Sequence, residues 1–122
     1  MKRFFYYTDI LPFLSKEHAA IDKLERNLSL FKNHSNEITL IWHPWSQTVK
    51  YLRLNNSPVT NEYLRVVNNF KQMGWGILDE TDSLAEARKT MLSCDAYYGD
   101  LSELIYDAKD AGIPVMLQNI DI

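Results

Sequence analysis

A chain of 122 residues, 46% hydrophobic and 12% aromatic, makes one domain with ample apolar material for a packed core, which excludes disorder. A net charge of −3 without any run of Lys and Arg excludes the basic face that nucleic acid requires. The single cysteine, Cys94, excludes a disulfide framework and a cysteine-based metal site, and no apolar run approaches bilayer length, so no transmembrane segment is expected.

Met1-Lys2-Arg3 leads directly into Phe4-Phe5-Tyr6-Tyr7, a start that suits a domain excised from a longer chain as well as a complete protein. The expected compartment is cytoplasmic. Residues 4–7 form a continuous apolar and aromatic run, the mark of a strand covered on both faces. The segment 8–12 breaks that run. A helix is then predicted over residues 16–31, with Ser15 as N-cap and Glu17 in the first turn. Ile21, Leu24, Leu28 and Phe31 fall on one face of it, and His18 is read as an exposed or capping residue.

Residues 38–42 are the second buried strand, ended by His43-Pro44-Trp45. A short helix follows over 47–54, then a break at Asn55-Asn56-Ser57-Pro58. A longer helix over 61–73 buries Tyr63, Val66, Val67 and Phe70 and stops at Gly74. Trp75 to Leu78 is a third, short strand. The acidic stretch 79–82 leads into a helix near Ser83, where Ser83 and Glu86 have capping-box spacing. Leu84, Ala87, Arg88 and Met91 mark its successive turns.

The segment 93–118 organises the rest. A strand at 96–98 runs into Gly99-Asp100, a helix starts at once and stops at Gly112, and a last strand covers 114–117. Strands alternating with helices imply a parallel sheet with right-handed crossovers. The expected fold class is α/β, a Rossmann-like three-layer sandwich. It has a five-stranded parallel sheet in the order 3-2-1-4-5, four or five helices over both faces, and Pro114 on an edge strand.

In such a sheet ligands bind at the carboxyl edge, here Thr8 and Asp9, His43 to Trp45, residues 79–82, Gly99 to Glu103, and Gln118-Asn119. Asp100 and Glu103 have the spacing of a capping box. The amides of Leu101, Ser102 and Glu103, with the Ser102 hydroxyl as an added donor, form a candidate phosphate turn together with Gly99, Asp100 and Thr8. His43 is the candidate acid or base, with Asp9 or Asp100 to orient it. The edge carries Asp9, Asp79, Glu80, Asp82, Asp100 and Glu103 with no Lys or Arg, so a nucleotide diphosphate needs a divalent ion such as Mg²⁺ as a bridge; no other cofactor is expected. A phosphoacceptor receiver site is set aside because the fifth strand ends in Gln118-Asn119 rather than Lys. No glycine-rich dinucleotide motif follows the first strand, and no Gly-x-Ser-x-Gly elbow is present.

The segment Cys94-Asp95-Ala96-Tyr97-Tyr98-Gly99-Asp100-Leu101-Ser102-Glu103, followed by Gly112-Ile113-Pro114-Val115-Met116, resembles the C-terminal part of CDP-glycerol glycerophosphotransferases, the teichoic-acid-type polymer synthases of GT-B fold. Leu40-Ile41-Trp42-His43-Pro44, Glu62-Tyr63-Leu64 and Gly74-Trp75-Gly76-Ile77 extend the resemblance over most of the chain. It covers the nucleotide-binding half alone. Asp95, Asp100 and Ser102 match the family pattern, whereas Glu103 stands where a second serine is expected and His43 where an arginine is expected. The resemblance implies a transferase that uses CDP-glycerol or another nucleotide-activated donor with an N-terminal domain these residues do not contain, and little or no activity alone. The other reading is a non-catalytic flavodoxin-like module that binds a partner protein or small ligand through Trp45 and Tyr98.

Overall fold

The computed structural model describes residues 1–118, and its central strand is β1 (Lys2–Thr8). Phe4 and Tyr6 join the core on one side of this strand, Phe5 and Tyr7 the core on the other, as the two-residue period of a strand requires. β1 pairs in parallel with β2 (Ile38–Pro44), from Lys2 opposite Ile38 to Thr8 opposite Pro44. Its other side pairs with β4 (Ala96–Gly99). β3 (Ile77–Leu78) lies beyond β2 and β5 (Val115–Leu117) beyond β4. The order is therefore β3-β2-β1-β4-β5, all parallel, as expected from the apolar runs.

α1 (Leu11–Lys16), α2 (His18–Asn33), α3 (Thr48–Leu54) and α4 (Thr60–Met73) cover one face with Phe13, Ile21, Leu52 and Tyr63. α5 (Leu84–Leu92) and α6 (Leu104–Asp110) cover the other with Met91, Leu104 and Ala108. Each fully buried large side chain, such as Phe5 or Leu52, contributes roughly 1.5–3 kcal/mol by leaving water. Pro114 precedes the edge strand β5, where its missing N–H costs no ladder bond.

The local readings needed several corrections. The helix expected over 16–31 is two helices. Pro12 sits in the first turn of α1, where a missing N–H is tolerated, and Ser15 lies inside α1 with its hydroxyl donating to the Leu11 carbonyl at 3.0 Å. Glu17 then separates α1 from α2 at φ 49° and ψ −114°, a conformation that costs a non-glycine residue about 1–3 kcal/mol. Secondly, β3 begins at Ile77, because Trp75 turns aside to pack edge-on against Phe70 at 5.0 Å. Thirdly, α6 starts at Leu104 rather than directly after Asp100, so Asp100 and Glu103 form no capping box. Ser102 provides the local cap instead, its hydroxyl oxygen accepting the Leu104 N–H at 3.2 Å. Val67 is half-buried, and the helices number six among the described residues. Ser83 does cap α5, accepting the Glu86 N–H at 3.3 Å.

Gly99 closes the centre of the sheet. It has φ 129°, and a Cβ there would lie 2.1 Å from the Tyr7 carbonyl oxygen. Gly112, at φ 74°, has open space around its missing Cβ. Gly99→Ala is therefore expected to cost about 3 kcal/mol or more, and Gly112→Ala about 1 kcal/mol, in urea denaturation. Equal losses would show that the close approach at Gly99 relaxes freely.

Candidate functional site

The carboxyl ends of β1, β2 and β4 meet where the strand order reverses, and the site is built on the residues that leave them. His43, next to last in β2, joins the α5/α6 side of the sheet. Its ring stacks on Phe5 and Tyr7, with centroids 5.5 and 6.0 Å away. The Trp45 N–H donates to the Thr8 carbonyl at 2.9 Å and fixes the turn that follows. At the end of β3, the Asp79 N–H donates to the Trp42 carbonyl at 2.8 Å. This places an Asp79 carboxylate oxygen 3.1 Å from His43 Nδ1. The other oxygen accepts the Thr81 N–H at 3.2 Å.

His43 is only 6% exposed, and Asp79 is the group that orients it. Neither Asp9 nor Asp100, the orienters expected from sequence, makes a hydrogen bond or ion pair with its ring. A carboxylate can only accept, so Nδ1 carries the proton and the neutral ring presents a bare Nε2. Nε2 makes no hydrogen bond among the described residues. His43 lines a cleft of about 380 Å³ with Tyr7, Asp9, Trp45, Asp82, Ser102 and Glu103. Burial and the neighbouring Asp9 push the Tyr7 phenol well above its ordinary value, so it stays protonated and donates to Asp9 at 3.2 Å.

The loop Gly99 to Glu103 borders this cleft, and Asp100 anchors it. The Asp100 residue is 5% exposed, and one carboxylate oxygen accepts the Asp9 N–H at 2.7 Å. The other accepts from the Gln118 side-chain amide, which also accepts from Asn27 at 3.0 Å. Asn119, the remaining edge residue named from sequence, lies outside the described residues. Asp100 therefore occupies, from within, the donor that an external anion at the switch point would use. Burial raises its carboxyl above the usual carboxylate range, and the two hydrogen bonds and Lys23 oppose that rise.

Ser102 is already committed. The Tyr97 hydroxyl donates to the Asp100 carbonyl, so in the 2.8 Å contact between Tyr97 and Ser102 the serine must be the donor. The Ser102 hydroxyl thus accepts from Leu104 and donates to Tyr97, which removes it as a free donor to phosphate. The amides of Leu101, Ser102 and Glu103 make no hydrogen bond among the described residues and remain available.

Two other expectations change. Thr8 is buried, accepts from the Trp42 indole at 3.0 Å, and lies on the α1/α2 side of the crevice. Tyr98 packs between Tyr6 and Phe31, with centroids 5.5 and 5.7 Å away, and does not line the His43 cleft. The edge is also less uniformly acidic than its own residues suggest. Lys16 and Lys23, from the helices after β1, line the α1/α2 side together with Asp100. Sequence reading missed Tyr7, Asp79 as orienter, and these lysines; taking Pro12 as the opening of a helix would have placed Lys16 at the edge. Among the described residues no group of three or more His, Cys, Asp or Glu is arranged to hold a metal ion. No helix among the described residues is long and apolar enough to cross a membrane.

The raised Asp100 carboxyl has a consequence for stability. The folded state binds this proton more tightly than the unfolded chain. Its contribution is therefore most favourable below the unfolded value of about 4 and declines as pH rises through the folded value. The stability of the wild type minus that of Asp100→Asn, from urea denaturation, is expected to fall over that window and then level off. A pH-independent difference would contradict it.

No family model, no curated protein and no solved structure matches this chain; the fold is Rossmann-like α/β.

Proposed function

We propose that this domain is the nucleotide-side half of a transferase of the CDP-glycerol glycerophosphotransferase type, with little or no turnover by itself. The observation that carries the reading is the buried His43–Asp79 pair, in which Nε2 makes no hydrogen bond among the described residues and His43 lines a cleft at the carboxyl edge. Nε2 would take the proton of an attacking hydroxyl, and Asp79 would stabilise the resulting imidazolium. The hydroxyl oxygen forms a bond to the phosphorus that bears glycerol. The bond from that phosphorus to the bridging oxygen breaks, and CMP leaves with the electron pair. The acceptor hydroxyl would be presented by a further domain.

The amides of Leu101, Ser102 and Glu103 supply donors for a phosphate oxygen. Asp9, Asp82 and Glu103 repel a bare diphosphate, and the described lining has no Lys or Arg to offset them. A divalent ion such as Mg²⁺, arriving on the diphosphate, would be held by one or two of these carboxylates, as is usual for Mg²⁺ on nucleotides. The second reading, a non-catalytic flavodoxin-like module for a small ligand or partner protein, is favoured by one feature. The internal carboxylate of Asp100 already takes the Asp9 amide at the switch point.

Titration with CDP and CDP-glycerol, with and without Mg²⁺, separates the two. The transferase reading expects Mg²⁺-dependent shifts at the Ser102 and Glu103 amides and the His43 ring. Glu103→Ser, at an exposed position, removes one repelling carboxylate and is expected to tighten CDP-glycerol binding by about fivefold. No response at millimolar ligand, in the wild type and in Glu103→Ser alike, would leave the non-catalytic module.

A further inference from the structure

The His43 cleft carries more negative charge than proton transfer uses. Asp9, Asp82 and Glu103 line it, with no Lys or Arg in the described lining. The carboxylates of Asp82 and Glu103 make no hydrogen bond or ion pair among the described residues. Asp9 accepts from the Tyr7 hydroxyl and the Leu11 amide and still has acceptor capacity to spare. Lys16 and Lys23 line the α1/α2 side of the crevice instead. Arg88 on α5 feels the charge of Glu103, but its Nε donates to Asp107 at 2.8 Å. The N-terminus of α5 adds only partial positive charge, roughly half an elementary charge for a helix end. The carboxylates therefore decide the sign of the cleft.

A second, independent feature calls for a donor. His43 is 6% exposed, its Nδ1 is bound to Asp79, and its Nε2 makes no hydrogen bond among the described residues. The only sealed side-chain nitrogen or oxygen without a partner among those residues is Arg3 Nε. His43 Nε2 is therefore not sealed in the core, and the open space that its ring lines is this cleft. An unprotonated nitrogen so placed accepts from an N–H or O–H donor. Shape narrows the donor further. No three His, Cys, Asp or Glu residues among those described converge as a metal site, so the carboxylates are spread around the cleft. A ligand with separated positive charges meets them better than one small ion does. Trp45, Leu84 and Leu104 supply apolar wall between the charged groups, and an aromatic face also attracts an ammonium. At about 380 Å³ the cleft exceeds the roughly 150 Å³ that holds a benzene ring, which is room for a short chain.

We propose that the His43 cleft binds a short aliphatic diamine in its diammonium form. One ammonium donates to His43 Nε2, the carboxylates of Asp9, Asp82 and Glu103 balance the two charges, and the chain lies against Trp45 and Leu104. The proposal does not rest on the transferase reading, since it uses neither the amides of Leu101 to Glu103 nor a nucleotide.

The test is an NMR titration of the full chain, without nucleotide, using putrescine, its monoamine analogue butylamine, its neutral analogue butanediol, and Mg²⁺ alone. Putrescine is expected to shift the Trp45 indole and the Asp82 and Glu103 amides saturably at millimolar concentration. It should also move the His43 Nε2 nitrogen resonance in the direction of a hydrogen-bonded ring. Butylamine should bind about fivefold more weakly and butanediol should give no saturable shift. Asp82→Asn and Glu103→Gln, both at exposed positions, should each weaken putrescine about threefold while the remaining spectrum stays folded. Equal responses to putrescine and butanediol, or unchanged affinity in both variants, would overturn the proposal. So would the same shifts with Mg²⁺ alone at equal concentration, an unmoved His43 nitrogen, or the absence of any saturable shift. The diamine and CDP-glycerol are titrated separately, so failure of one leaves the other result standing.

Discussion

The Asp100 carboxylate ties together three chain segments that the sheet brings side by side. It accepts from the Asp9 amide after β1 and from the Gln118 side chain after β5, while its own backbone leaves β4. Through Gln118 and Asn27 the same chain of bonds reaches α2 and the Tyr6 hydroxyl. A charge buried to this degree is costly, and the two hydrogen bonds and Lys23 offset that cost. The arrangement depends on Gly99, because only a residue without Cβ lets β4 pass so close to the Tyr7 carbonyl. One carboxylate and one glycine thus fix the point where the strand order reverses.

That bridge divides the crevice into two halves of different chemistry. On the α5/α6 side lie His43, held by Asp79, and a set of carboxylates that line its cleft. On the α1/α2 side lie two lysines and a small apolar slot. Proton transfer is the better-built chemistry of the first half, since the histidine is buried, stacked and oriented. Phosphate binding is the less complete one. Among the described residues it has free backbone amides but no side-chain cation, and its serine hydroxyl is engaged by Tyr97. Under the proposed transferase reading, a divalent ion and residues of a further domain would complete the binding of a nucleotide diphosphate.

Fold and site were legible to different degrees. The strand order followed from apolar runs at Phe4 to Tyr7 and Ile38 to Trp42, which are buried on both faces, and from Pro114, which belongs on an edge. The break at Glu17 was not legible, because a glutamate carries no signal for positive φ and tertiary packing imposes it. Asp100 and Glu103 have the spacing of a cap. Asp100 nonetheless serves a partner 91 residues away, and local spacing cannot reveal which of two acceptable hydrogen bonds the chain will choose. His43 was recognisable as a residue at a strand end. Its partner Asp79 is 36 residues distant and becomes a neighbour only because β2 and β3 are adjacent in the sheet. Lys16 was missed for the same reason that α1 was missed.

The central claim is that Asp79 holds His43 with Nδ1 protonated and Nε2 free to accept a proton in the cleft. Long-range proton–nitrogen NMR of the His43 ring, recorded on the neutral form, tests it most directly. The account expects a protonated Nδ1 and an unprotonated Nε2, with Asp79→Asn disturbing that preference. A neutral ring protonated at Nε2 in the wild type would contradict it, since the bond to Asp79 would then require a protonated carboxyl and the cleft would face a donor instead of a base.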